Sequence, residues 1–117
     1  MAIHTESLAG KHCVPCHGGS QPLRGDALDA MLRQTPHWEL VRPERASQDR
    51  IVREFTFADF RRTLAFVNRV AELADAENHH PHISFTYSRC RVELWTHAVN
   101  GLSENDFILA AKIDQVA

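Results

Sequence analysis

The sequence predicts an α+β fold: a two-layer sandwich with three helices on one face of a four-stranded antiparallel sheet, in the order α-β-β-α-β-β-α. Three observations carry this reading. Residues 58–76 hold apolar side chains at helical spacing. Residues 83–97 form two alternating apolar/polar runs around a short turn. A Ser-x-x-Asp cap at Ser103 opens a last apolar helix. Strands joined by hairpins pair antiparallel, and a helix with an apolar stripe buries it on a sheet.

The first 24 residues form an irregular arm, rich in Gly and Pro and without periodicity. The domain proper is expected over 25–117. Residues 26–34 predict a short helix with Ala27, Leu28, Met31 and Leu32 on one stripe, and Pro36 lies beyond its end. Residues 37–41 predict a short strand, and 43–49 a polar turn. Residues 50–57 predict a half-exposed strand with Ile51, Phe55 and Phe57 on one face.

In the long helix, Phe60, Leu64, Val67, Ala71 and Ala74 recur at steps of three and four and predict the core stripe. Phe66, Val70 and Leu73 add a second stripe, wide enough to meet another subunit as well. In the hairpin, Ile83, Phe85 and Tyr87 lead into a turn at 88–90, where Cys90 is expected as a free thiol. Val92, Leu94 and Thr96 share one face of the return strand; Arg91, Glu93, Trp95 and His97 share the other. In the last helix, Leu109, Ile113 and Val116 form the stripe, and Leu102 with Phe107 flanks the cap.

Composition bounds the function. The chain has 117 residues, enough for one domain with its own core. Its formal net charge is −2 with neutral histidines, which gives no footprint for nucleic acid or an anionic membrane. No apolar run has the length of a membrane span, and the first ten residues lack a signal-peptide core. A cytoplasmic protein is therefore expected. Three cysteines are too few for a disulfide scaffold.

The chemistry concentrates in histidine. His79-His80-Pro81-His82 sits between the long helix and the hairpin, and Thr96-His97 ends the return strand. A hairpin can return His97 to the neighbourhood of His79 and His80. Pro81 holds His80 in extended geometry, so consecutive rings point in different directions. Imidazole titrates near neutral pH, so clustered rings can both give and take protons. Asp75 lies one helical turn before His79 and is positioned to orient an imidazole. A zinc site fits less well, because these histidines lack the i, i+4 spacing that aims two rings at one ion.

These residues carry a resemblance. Asp75 with Asn78-His79-His80-Pro81, then Trp95-Thr96-His97, then Gly101-Leu102-Ser103-Glu104-Asn105-Asp106, resembles the signature of the pterin-4a-carbinolamine dehydratases of bacterial type. Trp38 matches the family's early tryptophan, and the likeness runs from about Leu23 to the C-terminus. The resemblance implies an α+β fold and a reaction: loss of water from a 4a-hydroxytetrahydropterin to give the quinonoid dihydropterin, in tetrahydrobiopterin recycling. It implies His79 and His97 as the acid/base pair and His80 as a catalytic and pterin-orienting group. Asp75, Trp95, Asp106 and Trp38 become candidate pterin contacts. Trp38 has a second reading as core, and Asp106 a second reading as the helix cap. Asp75 stands where the family often has Glu, and His82 where an acid is usual.

The resemblance requires no metal or redox cofactor and implies a homodimer or homotetramer. The alternative function is a non-catalytic dimerisation or regulatory partner, or a metal-binding protein. The arm's His12-Cys13-Val14-Pro15-Cys16-His17 leaves several readings open: a haem attachment pattern, a Cys13/Cys16 zinc half-site, a redox dithiol, or a reduced structural segment, the last favoured.

Overall fold

The computed structural model describes residues 7–15, 20–43 and 48–117. The elements are α1 (Gly25–Gln34), β1 (Glu39–Val41), β2 (Arg50–Thr56), α2 (Phe60–Glu77), β3 (His82–Phe85), β4 (Arg89–Leu94) and α3 (Glu104–Val116). Short 3-10 turns occupy Leu8–Gly10 and His97–Val99. The order is the expected one, and the sheet runs β1-β2-β4-β3 with antiparallel neighbours throughout. No described helix is long and apolar enough to cross a membrane.

The central pair is β2 with β4, in register from Ile51 opposite Leu94 to Thr56 opposite Arg89. The strand period sends Ile51 and Phe55, and Cys90, Val92 and Leu94, into one core. Phe66, Val70 and Ala74 of α2 meet them, with Phe107, Leu109, Ala110 and Ile113 of α3. Phe66 is fully buried, and its ring centroid lies 4.6 Å from Phe55 and 5.0 Å from Phe57.

The core stripe of α2 differs from the one the apolar pattern favours. Thr63, Phe66, Val70 and Ala74 are buried, while Phe60 and Leu64 are exposed. Thr63, a break in the apolar pattern, is accommodated on this buried face beside Phe66 and Val70. Its hydroxyl oxygen lies 2.9 Å from the Asp59 carbonyl and 3.0 Å from that of Tyr87. A satisfied hydroxyl buries at little cost, so the helix can turn this face inward. The outward stripe meets the sheet edge, where Phe60 stacks on Phe85 at 6.2 Å.

The hairpin turns earlier than expected, over 86–88, closed by the Thr86 amide donating to the Arg89 carbonyl at 2.9 Å. Cys90 therefore sits within β4 and not in the turn. Its thiol is free, and burial pushes its pKa up to about 11.

Asp59 caps α2: its side chain accepts from the Arg62 amide at 2.9 Å. We expect Asp59→Ala to cost about 1 kcal/mol. Thermal unfolding checks this as a fall in Tm of about 4 °C, or somewhat more.

Candidate active site

The C-terminus of α2 aims the first histidine. Asn78 adopts a left-handed conformation with φ of 51°. Its amide donates to the Asp75 carbonyl at 3.2 Å, and the His79 amide donates to the Ala74 carbonyl at 3.1 Å. These two bonds are a Schellman closure, which reverses the chain as it leaves the helix. Asn is the non-glycine residue that tolerates this conformation best.

The second segment is a turn stapled at its base. The Thr96 amide donates to the Gly101 carbonyl at 2.7 Å, and Asn100 supplies the left-handed corner with φ of 56°. Gly101 is required here, because a Cβ would lie 2.9 Å from Cβ of Pro22. His97 opens the 3-10 turn held above this base and is exposed.

The two segments meet at Asp106. His79 Nε2 lies 2.6 Å from Asp106 Oδ1. The second carboxylate oxygen accepts from Thr96 Oγ1 at 2.8 Å and from the Ser103 amide at 2.9 Å. Thr96 and Ser103 hydroxyls also lie 2.7 Å apart. Asp106 is fully buried, and the His79 side chain is 13% exposed. Asp106 thus closes the capping box of α3 with one oxygen and holds His79 with the other. A buried carboxylate with this many donors is strongly fixed, and it fixes the ring bonded to it.

His79, His80 and His97 line a single cleft of about 610 Å³, a size ordinary for small-molecule sites. Trp95 and Thr96 line it too, and the Arg50 guanidinium lies 4.1 Å from the Trp95 ring centroid. His80 is exposed and sits 3.6 Å from Asp75, which is itself 90% exposed. Asp75 lines a neighbouring groove with His80 and Pro81, not this cleft, and its imidazole partner is His80 rather than His79. Solvent screens that pair, so Asp75 has little leverage on the cleft.

Trp38 lies apart from the cleft. It is buried in the core, edge-on to Phe55 at 6.2 Å, and its indole N–H donates to Asp114 at 2.9 Å. Its second reading, as core, describes where it lies. His82 is exposed on β3, with its ring centroid 6.4 Å from that of Trp95.

The arm is the unexpected contributor. Cys13, Val14 and Pro15 line the cleft together with Glu77 and Asn105. Leu8 anchors the arm in the core, Lys112 Nζ donates to the Ala9 carbonyl at 2.9 Å, and Lys11 pairs with Glu104 at 2.9 Å. Glu77 is 7% exposed and accepts from the Cys13 amide at 2.7 Å, with His12 Nδ1 at 2.9 Å and Lys112 Nζ at 3.8 Å. Burial alone would push the Glu77 carboxyl up; the Cys13 amide, His12 and Lys112 outweigh it and hold it below the usual carboxylate range. A carboxylate lowered in the folded state stabilises above its unfolded pKa and loses that contribution as pH falls through the folded value. The arm is therefore expected to loosen as pH drops below about 4. Faster exchange of the Cys13 amide there than at neutral pH, after correction for intrinsic rates, checks this.

Cys13 itself is a poor nucleophile. Burial, and then the negative charges of Glu77 and Asp106, push its pKa up to about 12. At pH 8 we expect Cys13 and Cys90 in the folded protein to alkylate at least about 100-fold more slowly than a free thiol. Mass spectrometry of iodoacetamide-treated protein, with and without urea, checks this. Cys16 and His17 lie outside the described residues. Among the described residues, no group of three or more His, Cys, Asp or Glu side chains is arranged to hold a metal ion.

The profile of the family described as "Pterin 4 alpha carbinolamine dehydratase" matches residues 21–116. The chain belongs to this family. A Rubrobacter xylanophilus protein assigned by name as a pterin-4-alpha-carbinolamine dehydratase is 47% identical over 109 residues, 93% of this chain and 97% of the relative. A Methylococcus capsulatus protein with the same assignment is 44% identical over 111 residues, 95% of this chain and 94% of the relative. The crystal structure of a "transcriptional coactivator/pterin dehydratase" from Brucella melitensis superposes with a TM-score of 0.74 at 31% identity, over 83% of this chain and 99% of that one. A pterin dehydratase-like RuBisCO assembly factor, at 22% identity and a TM-score of 0.57, shares the fold alone.

Within this dehydratase-family chain, reading the sequence missed Glu77, Asn105, Thr96 and Ser103 as parts of the site. Thr96, Ser103 and Asn105 carry a signal in retrospect: all three stand in motifs that the family resemblance already includes. Glu77 carries none, because the amide it holds, that of Cys13, lies in an arm without periodicity.

Proposed function

We propose that this chain dehydrates a 4a-hydroxytetrahydropterin to the quinonoid dihydropterin by imidazole acid/base catalysis. The observation that supports it most is convergence: imidazoles from two separate segments line one cleft, and the most buried of them is held by a buried carboxylate. Family membership supplies the substrate class.

The chemistry balances with two proton transfers. The C4a–O bond breaks, and the departing hydroxide takes a proton from one imidazolium to leave as water. A pterin ring nitrogen gives its proton to the other imidazole, and its electron pair forms the new C=N bond. His79 and His97 are the groups for these transfers. The Nε2–H of His79 donates to Asp106, which leaves Nδ1 for the reaction. His80 contacts and orients the pterin, and the half-buried Trp95 offers an apolar surface to the ring. Each positioned proton transfer is worth about 10²- to 10⁴-fold.

The test is turnover of synthetic 4a-hydroxytetrahydropterin, followed by absorbance. The expected result is dehydration well above the spontaneous rate and saturable in substrate. A rate equal to the spontaneous one overturns the proposal.

The same reading includes a homo-oligomer. Phe60 and Leu64 on α2, Phe85 on β3 and Tyr87 in the turn after it are exposed large apolar side chains, which supports self-association. Light scattering is expected to give a mass of at least two chains, and a monomeric mass contradicts this part. These side chains, and the Brucella relative's naming as both coactivator and dehydratase, favour a second reading, a non-catalytic partner protein, which the absence of turnover would support.

A further inference from the structure

We propose that Cys13–Pro15 of the N-terminal arm is a substrate-contacting wall of the pterin cleft, and that Glu77 and Asn105 are positioning residues that hold it there. The inference rests on the dehydratase reading and names a part of the site outside the residues matched by the family profile.

The latch is specific. Asn105 is 5% exposed, and its side-chain amide grips Val14 at two points: Oδ1 accepts from the Val14 amide at 3.0 Å, and Nδ2 donates to the Val14 carbonyl at 2.6 Å. One residue earlier, Glu77 accepts from the Cys13 amide, with His12 Nδ1 at 2.9 Å and Lys112 Nζ at 3.8 Å beside it. The buried Glu77 and Asn105 thus fix consecutive residues of a segment that lacks helix or strand. Ordering an irregular segment costs backbone entropy of about 1–2 kcal/mol per residue, and charge-assisted bonds of this kind offset it.

What the latch presents is apolar. Val14 is 65% exposed, yet it lines the cleft beside Pro15 and shares that lining with Trp95. A flat bicyclic heterocycle has apolar faces and polar edges. The imidazoles and amides of the cleft suit the edges; Trp95, Val14 and Pro15 suit the faces. The surface that Val14 leaves open is the surface a bound ring would cover.

Two variants separate a binding wall from a purely structural arm. Val14→Asp puts a charge on an already exposed position and is expected to raise KM about tenfold, with kcat changed less than about threefold and Tm unchanged. Glu77→Ala is expected to raise KM similarly, and Glu77→Gln, which keeps an acceptor for the Cys13 amide, to recover part of the loss. Unchanged KM in both Val14→Asp and Glu77→Ala overturns the proposal. If Glu77→Ala fails to fold, the wild-type protein decides: Val14 methyl groups should show NOEs to bound 7,8-dihydrobiopterin. Shifts at His97 and Trp95 without contacts to Val14 refute the arm wall alone. A wild-type protein without binding or turnover refutes the pterin reading, and the arm wall with it.

Discussion

The double variant His79→Ala/His97→Ala is expected to lose at least about 10⁴-fold in kcat for 4a-hydroxytetrahydropterin while keeping a cooperative thermal transition. In the proposed mechanism each imidazole carries one end of the elimination, and each proton transfer contributes about 10²- to 10⁴-fold. The two act on one transition state, so the losses need not add, and either single variant should show most of the effect. The folding cost is about 1–3 kcal/mol, because Asp106 Oδ1 loses its partner at a fully buried position. His97 is exposed at the start of a 3-10 turn. His79 leaves behind a carboxylate that still accepts from Thr96 and from the Ser103 amide. Steady-state kinetics with circular dichroism of the same samples checks both halves. Full activity in the double variant removes the imidazoles from the mechanism.

Asp106 is expected to separate stability from catalysis. Asp106→Ala deletes an acceptor shared by His79, Thr96 and the Ser103 amide at a fully buried position. The loss of the cap and the stranded buried donors together cost about 2–4 kcal/mol. Denaturant unfolding should show this as a lower midpoint at unchanged slope. Asp106→Asn is the sharper test. Its carbonyl oxygen can keep the Ser103 and Thr96 bonds, and its amide then faces the imidazole with a donor. His79 must switch tautomer to accept that bond, which moves its proton to Nδ1, the nitrogen the proposed mechanism uses. The expected result is a kcat lower by about 10²-fold or more with at least half of the stability retained. An Asn variant with undiminished kcat confines Asp106 to capping α3.

The sequence made the layers legible because period and capping are local. The alternation of β4 fixes which side chains enter the core, and the Ser103/Asp106 box fixes where α3 starts. The histidine cluster was legible for the same reason: a Pro and a helix end position His79 and His80, and a hairpin returns His97. What escaped were decisions made by distant partners. Thr63 could join the buried face of α2 because carbonyls of Asp59 and Tyr87 were available to its hydroxyl. The carboxylate one helical turn before His79, Asp75, faces solvent; the one that holds the ring comes from α3, 27 residues on. Trp38 carries both an apolar body and a donor, and the structure spends both inside, on Phe55 and Asp114. The arm offered no period at all, and its place over the cleft depends on Glu77 and Asn105, residues that a local reading assigns to ordinary helix ends.

The central claim is that one cleft holds a reduced pterin with its reacting carbon against these imidazoles. The most direct measurement is a crystal structure of the protein with 7,8-dihydrobiopterin bound. The predicted result places the heterocycle in the cleft between His79, His80 and His97, with ring carbon 4a in contact with His79 or His97. A pterin bound elsewhere, or one whose 4a carbon faces away from both rings, contradicts the account.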